Sequence, residues 1–122
     1  MLIAVAKANV KPGKLEDLKA LMAYLEERMT KNEPNYYHRI YLSEDQTEIT
    51  FFEHFGDEDA LLNHWQEHQA DPEARQKIDE TLEFTSVEVF AGPFEKTAEV
   101  LRQMKAKFYP HTLSVIERTI VS

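Results

Sequence analysis

The stretch Phe51-Phe52-Glu53-His54-Phe55-Gly56-Asp57-Glu58-Asp59-Ala60-Leu61-Leu62-Asn63-His64-Trp65 carries two periodicities joined by one turn. Glu48 to Phe55 alternates as a strand does. Ile49, Phe51, Glu53 and Phe55 share one face, and Glu48, Thr50, Phe52 and His54 share the other. Gly56-Asp57 breaks the run. Beyond it Ala60, Leu61, His64, Trp65 and His68 recur at helical spacing, with Asp57 or Asp59 placed to cap or complement the helix N-terminus. A strand running through one short turn into an amphipathic helix predicts a sheet with a helix laid against one face.

On the N-terminal side, Tyr36 to Leu42 reads as a second strand, joined to Glu48–Phe55 through Ser43-Glu44-Asp45-Gln46 as a hairpin. Before it, Leu15, Leu18, Leu21, Met22, Leu25 and Met29 form the apolar stripe of a helix that ends at Asn32-Glu33-Pro34-Asn35. Leu2 to Val10 reads as the opening strand, stopped by Lys11-Pro12-Gly13. On the C-terminal side Pro72 interrupts the second helix, and Ala74, Ile78 and Leu82 predict further helical turns. Phe84 to Ala91 reads as a fourth strand closed by Gly92-Pro93. The order β-α-β-β-α-β is the ferredoxin-like, split βαβ arrangement of an α+β protein. Its antiparallel sheet has helices on one face, so a second copy of the chain is the expected cover for the other. Phe94, Ala98, Leu101 and Phe108 predict a third helix ended by Tyr109-Pro110, and Leu113, Val115, Ile116, Ile120 and Val121 a last strand. One domain over 1–122 is expected, with a core over 1–93 and an extension over 94–122 that adds a sheet-edge strand or crosses to a partner.

With 14 basic and 22 acidic residues the net charge is −8, which disfavours nucleic acid and anionic membrane surfaces. There is no cysteine, which removes thiolate nucleophiles, disulfides and Cys-type metal centres. No run approaches the ~20 apolar residues of a membrane span. The opening Met1-Leu2-Ile3-Ala4-Val5-Ala6-Lys7 is short and lacks a basic start. A cytoplasmic location is the expectation.

Three segments resemble the antibiotic biosynthesis monooxygenase family, whose members fold as dimeric α+β barrels. They are Val10-Lys11-Pro12-Gly13-Lys14 before a leucine-rich helix, Glu33-Pro34-Asn35 before a tyrosine-rich strand, and Phe51–Phe55 running through Asp57-Glu58-Asp59-Ala60-Leu61 to His64. The resemblance covers roughly Leu2 to Pro93. It departs at Asn35, where a Gly is usual, and at His68, one residue nearer His64 than the family spacing. It implies a homodimer and, among the family's activities, cofactor-independent oxygenation of a small aromatic quinol or phenol by dioxygen, with no metal and no flavin. Other members degrade haem or isomerise their substrates. The Asn and Trp expected of the haem branch would fall at Ala6 and His64 here.

His64 and His68 lie four apart on one helical face beside Trp65 and Leu61, directed toward the sheet. A neutral imidazole there is a candidate base for a phenolic hydroxyl, with His64 the first choice. Glu53 sits among aromatics, where a carboxylate is paired or has a raised pKa. His64, Glu53 and His68 are therefore the catalytic candidates, and Trp65, Asn9, Tyr37, Arg39 and Phe51 the substrate-binding ones. Tyr36 and Tyr41 are further candidates for an aromatic lining. The His pair could also hold a metal with Glu53 or His54 as third ligand, although Trp65 stands where an HExxH motif has its Glu. A non-catalytic domain binding a small hydrophobic ligand is the alternative from a different class.

Overall fold

The computed structural model describes residues 1–121. Its elements run β1 (Leu2–Val10), α1 (Leu15–Asn32), β2 (Tyr36–Leu42), β3 (Glu48–Phe55), α2 (Glu58–Gln69), α3 (Pro72–Thr81), β4 (Leu82–Phe90), α4 (Ala98–Gln103) and β5 (Lys107–Tyr109). The sheet order is β2-β3-β1-β4-β5, antiparallel except for the parallel β4–β5 pair. This is the expected α+β, ferredoxin-like architecture.

Pairing register sorts the side chains into two faces. Leu2, Ala4, Ala6 and Ala8 lie opposite Phe55, Glu53, Phe51 and Ile49, and Tyr36, His38 and Ile40 continue that row on β2. This inner face carries the core, in which Leu2, Ala4, Phe55, Leu61, Val89 and Leu101 form one buried cluster and Ala8, Leu18, Ile49 and Leu82 another. The alternation read for β3 holds. The outer face holds Tyr37, Arg39 and Tyr41 on β2 and Phe52 and His54 on β3.

The helix starts follow local chemistry. Asp57 accepts from the Ala60 amide at 2.8 Å, and Asp71 accepts from the Ala74 amide at 3.1 Å with Pro72 in the first turn of α3. The Asn35 side-chain amide packs directly over Gly56, and any larger residue there would have to displace it.

The C-terminal elements differ from the sequence expectation. The helix is only Ala98–Gln103, because Lys105 takes φ 58 and the Lys105 and Ala106 amides close back on the carbonyls of Arg102 and Leu101. Phe108, expected on that helix, instead lies on β5 opposite Val89 and edge-on to Phe94 at 5.3 Å. The strand expected around Leu113–Val121 does not form; residues 110–121 have no regular structure. The fourth strand begins at Leu82, two residues before the expected Phe84.

Glu58, at the start of α2, is 8% exposed and accepts from the Lys96 amide, the Thr97 amide and the Thr97 hydroxyl at 2.7–2.9 Å. Thr97 is fully buried. Glu58→Ala, which strands three donors, is expected to lower stability by about 2–4 kcal/mol in urea unfolding, with Glu58→Gln losing less.

Candidate active site

Ala4 and Ala6 are the reason there is space above the inner face. Their short side chains leave a cavity of about 450 Å³ between the sheet and α1–α3, with Met22, Leu25, Phe51 and Trp65 among its apolar walls. Its polar lining comprises Glu53, His64 and His68 with Tyr36 and His38, and Gln69, Arg75 and Asp79 from the end of α2 and from α3. A separate cleft of about 470 Å³ between α1 and α3, lined by Asp17, Tyr24, Lys77 and Glu80, shares none of these three.

His64 projects from α2 between two carboxylates. Its Nδ1–H donates to Glu33 Oε1 at 2.6 Å, and its Nε2–H donates to Glu53 Oε2 at 3.0 Å. Burial alone would lower its pKa. The charge of Glu53 and the hydrogen bonds to Glu33 and Glu53 outweigh that and raise it to about 9. The imidazole is therefore protonated at neutral pH, which corrects the expectation of a neutral resting His64. Glu53 shows the converse. Burial pushes its carboxyl up, but His64, through its charge and hydrogen bond, and the Tyr36 hydroxyl hold it down at about 2. Tyr36 donates to Glu53 Oε2 at 2.8 Å and stacks on the His64 ring at 4.5 Å. With that proton committed, His38 Nδ1–H donates to the Tyr36 oxygen at 2.8 Å. Burial and the neighbouring Glu53 push the Tyr36 hydroxyl far above its ordinary pKa.

His68 is the neutral partner of the pair. Burial, the charge on His64 and Arg28 together lower its pKa to about 4. Arg28 Nη2 lies 3.2 Å from His68 Nδ1; a guanidinium only donates, so the His68 proton sits on Nε2. That Nε2 is 3.1 Å from His64 Nε2. The His64 edge nitrogen thus has a partner in either state: protonated, it donates to Glu53; neutral, it accepts from His68. Asp71 secures Arg28 at 2.8 Å and takes a second bond from the Tyr24 hydroxyl at 2.6 Å.

The structure therefore brings Glu53, His64, His68, Trp65 and Phe51 to one cavity. It does not bring Asn9, Tyr37 or Arg39 there. Asn9 is on the outer face and donates to Glu83 at 3.3 Å. Tyr37 stacks on His54 at 4.4 Å on that same face, and Arg39 lies exposed beside Phe52. Tyr41 also faces outward, leaving Tyr36 as the one of the three tyrosines that lines the cavity. Glu33, 4% exposed, and Arg28 are the site residues that sequence reasoning missed. Among the described residues no group of three or more His, Asp or Glu side chains is arranged to hold a metal ion.

Arg28→Met removes both a positive charge and the donor to Nδ1, so the His68 pKa is expected to rise from about 4 toward its ordinary value near 6.5. Imidazole NMR titration measures this directly; an unchanged His68 curve would contradict the role given to Arg28.

No curated protein matches the chain. Among solved structures, MupZ from Pseudomonas fluorescens is similar over 99% of this chain and 98% of its own, at 23% identity and TM-score 0.77. A conserved protein from Methanosarcina mazei Go1 matches over 72% of this chain and 88% of its own, at 26% identity and TM-score 0.60. Protein SO0527 from Shewanella oneidensis matches over 72% and 86%, at 31% identity and TM-score 0.52. The sequence model of the antibiotic biosynthesis monooxygenase family matches residues 1–77. That span contains the Glu33–His64–Glu53 cluster entire, and the chain belongs to the antibiotic biosynthesis monooxygenase family.

Proposed function

We propose that the chain is a monooxygenase that oxidises a small aromatic phenol or quinol with dioxygen, the substrate serving as its own reductant. The observation that carries this reading is the Glu53–His64–His68 cluster, beside Tyr36, in a mostly apolar cavity of about 450 Å³. That is the size and lining suited to one flat aromatic molecule with an ionisable group.

Glu53 uses Oε2 for both Tyr36 and His64, and Oε1 has no partner among the described residues. Oε1 is the acceptor that touches the substrate hydroxyl. His64, in its neutral form, is the store that takes the proton on from Glu53. Its pKa of about 9 is close to that of a phenol, about 10, so net transfer between them is nearly balanced. The His68 Nε2–H bond supports the neutral form before transfer, and the Glu53 bond supports the imidazolium afterwards. The resulting phenolate passes one electron to dioxygen, and the two radicals join at a ring carbon as a hydroperoxide. Loss of water leaves one oxygen atom on the ring as a carbonyl and releases the other as water.

Oxygen uptake by metal-stripped protein with a panel of hydroquinones and naphthols tests the reading. Glu53→Gln and His64→Ala are each expected to lower kcat by about 10²–10⁴-fold; full activity in both variants would refute the proton path. Below pH 9 the working neutral His64 is the minor form. Its fraction grows with pH, so kcat/KM is expected to rise about tenfold per unit from pH 6 to 8 and to level off near 9. Ala6→Leu, which fills the cavity floor opposite Phe51, is expected to raise KM far more than it lowers kcat.

A further inference from the structure

A second polar group lies at the rim of the cavity. Gln69 ends α2, and Arg75 and Asp79 stand one turn apart on α3; all three line the cavity and are exposed to solvent. The helix runs away from the proton-handling cluster. It begins after Asp71, which holds the Arg28 that bonds His68, and it passes into β4 at Leu82. Leu82 pairs with Val10, six residues along β1 from the Ala4 that faces Glu53, a separation of roughly 20 Å. Arg75 is the one lining side chain with a permanent positive charge. Its guanidinium makes no ion pair and no hydrogen bond among the described residues, although a carboxylate stands one turn away on either side. Asp71 is taken by Arg28 and Tyr24. Asp79 is unpaired with it, whereas Glu73 and Lys77, at the same spacing on the same helix, pair at 3.4 Å. The difference follows the helix dipole, which favours the acid before the base and not the reverse order.

We propose that Arg75, assisted by the Gln69 amide, binds a carboxylate carried by the aromatic substrate at the end remote from its hydroxyl, so that the substrate is a hydroxylated aromatic acid. The inference rests on the reading of the cavity as a phenol site and adds the substrate's second functional group. Electrostatics assign the two ends. At the cluster two carboxylates flank one imidazolium and His68 is neutral, so that end is net negative and repels a further anion. A chain of net charge −8 gives an anion no general attraction either. The free guanidinium is the local exception, and its planar fork matches the two oxygens of a carboxylate. Asp79 beside it favours a singly charged carboxylate over a doubly charged phosphate, whose second charge it would repel. With the carboxylate held at the rim, the hydroxyl is left to point inward at Glu53. That sets the direction of a flat ring whose contacts with the apolar walls do not.

Calorimetric titration of the full chain tests this without turnover. The probes are a hydroxynaphthoate with its two groups at opposite ends of the ring system and the matching naphthol, which lacks only the carboxylate. Wild type is expected to bind the acid at least about fivefold more tightly than the naphthol. Arg75→Met, checked for folding by circular dichroism, is expected to abolish that preference, weakening the acid about fivefold or more and leaving the naphthol within about twofold. Lys77→Met makes the same change of net charge on the same helix, but Lys77 lines the separate α1–α3 cleft, and the preference is expected to survive it. An acid bound no better than the naphthol would overturn the role given to Arg75, and so would a preference that Arg75→Met leaves intact or that Lys77→Met removes equally. In each of those cases naphthol binding still upholds the phenol site. Binding of neither compound would overturn the proposal together with the reading it rests on.

Discussion

A charged imidazole held between two carboxylates inside an apolar cavity is the constraint that organises this molecule. Taking three ionised groups out of water is costly, and only close hydrogen-bonding geometry offsets that cost. Here the geometry comes from four separate places: Glu33 at the end of α1, Tyr36 on β2, Glu53 on β3 and His64 on α2. The cluster can be intact only when α1, the hairpin and α2 are docked together. Glu33 terminates α1, its amide bonding back to the Met29 carbonyl while its side chain reaches His64.

The same constraint shapes the chemistry. One proton on His64 faces a carboxylate oxygen and a second imidazole at nearly equal distances, 3.0 and 3.1 Å. A nitrogen with a prepared partner in each protonation state can gain or lose a proton with little rearrangement. The groups behind the cluster hold it in place: Arg28 fixes the His68 tautomer and Asp71 fixes Arg28, while Asp71 also caps α3. Catalytic geometry and helix placement are thus tied by one short chain of hydrogen bonds.

Much of this was legible in the sequence wherever a period could be read. Alternation in β3 put Glu53 on the inner face, and helical spacing put His64 and His68 on the face of α2 toward it. The same parity, applied to β1, would have excluded Asn9, since Ala4, Ala6 and Ala8 define the inner row. Tyr36 and Tyr37 were harder to separate, because adjacent strand residues differ only in which face they take, and the register against β3 sets that. In the sequence Glu33 is part of a helix stop; a carboxylate before Pro34 gives no periodic signal, and its role depends on a partner 31 residues away. The C-terminal region misled because Phe94, Leu101 and Phe108 are apolar at helix-like intervals, whereas the chain turns at Lys105 and packs Phe108 from a strand.

The central claim is that His64 rests as an imidazolium between Glu33 and Glu53. Nitrogen-15 NMR of the His64 ring across pH 5 to 10 tests it most directly. The account predicts both ring nitrogens protonated through neutral pH, with a midpoint near 9. A midpoint at or below the ordinary histidine value of about 6.5 would contradict it, and with it the proton path built on this residue.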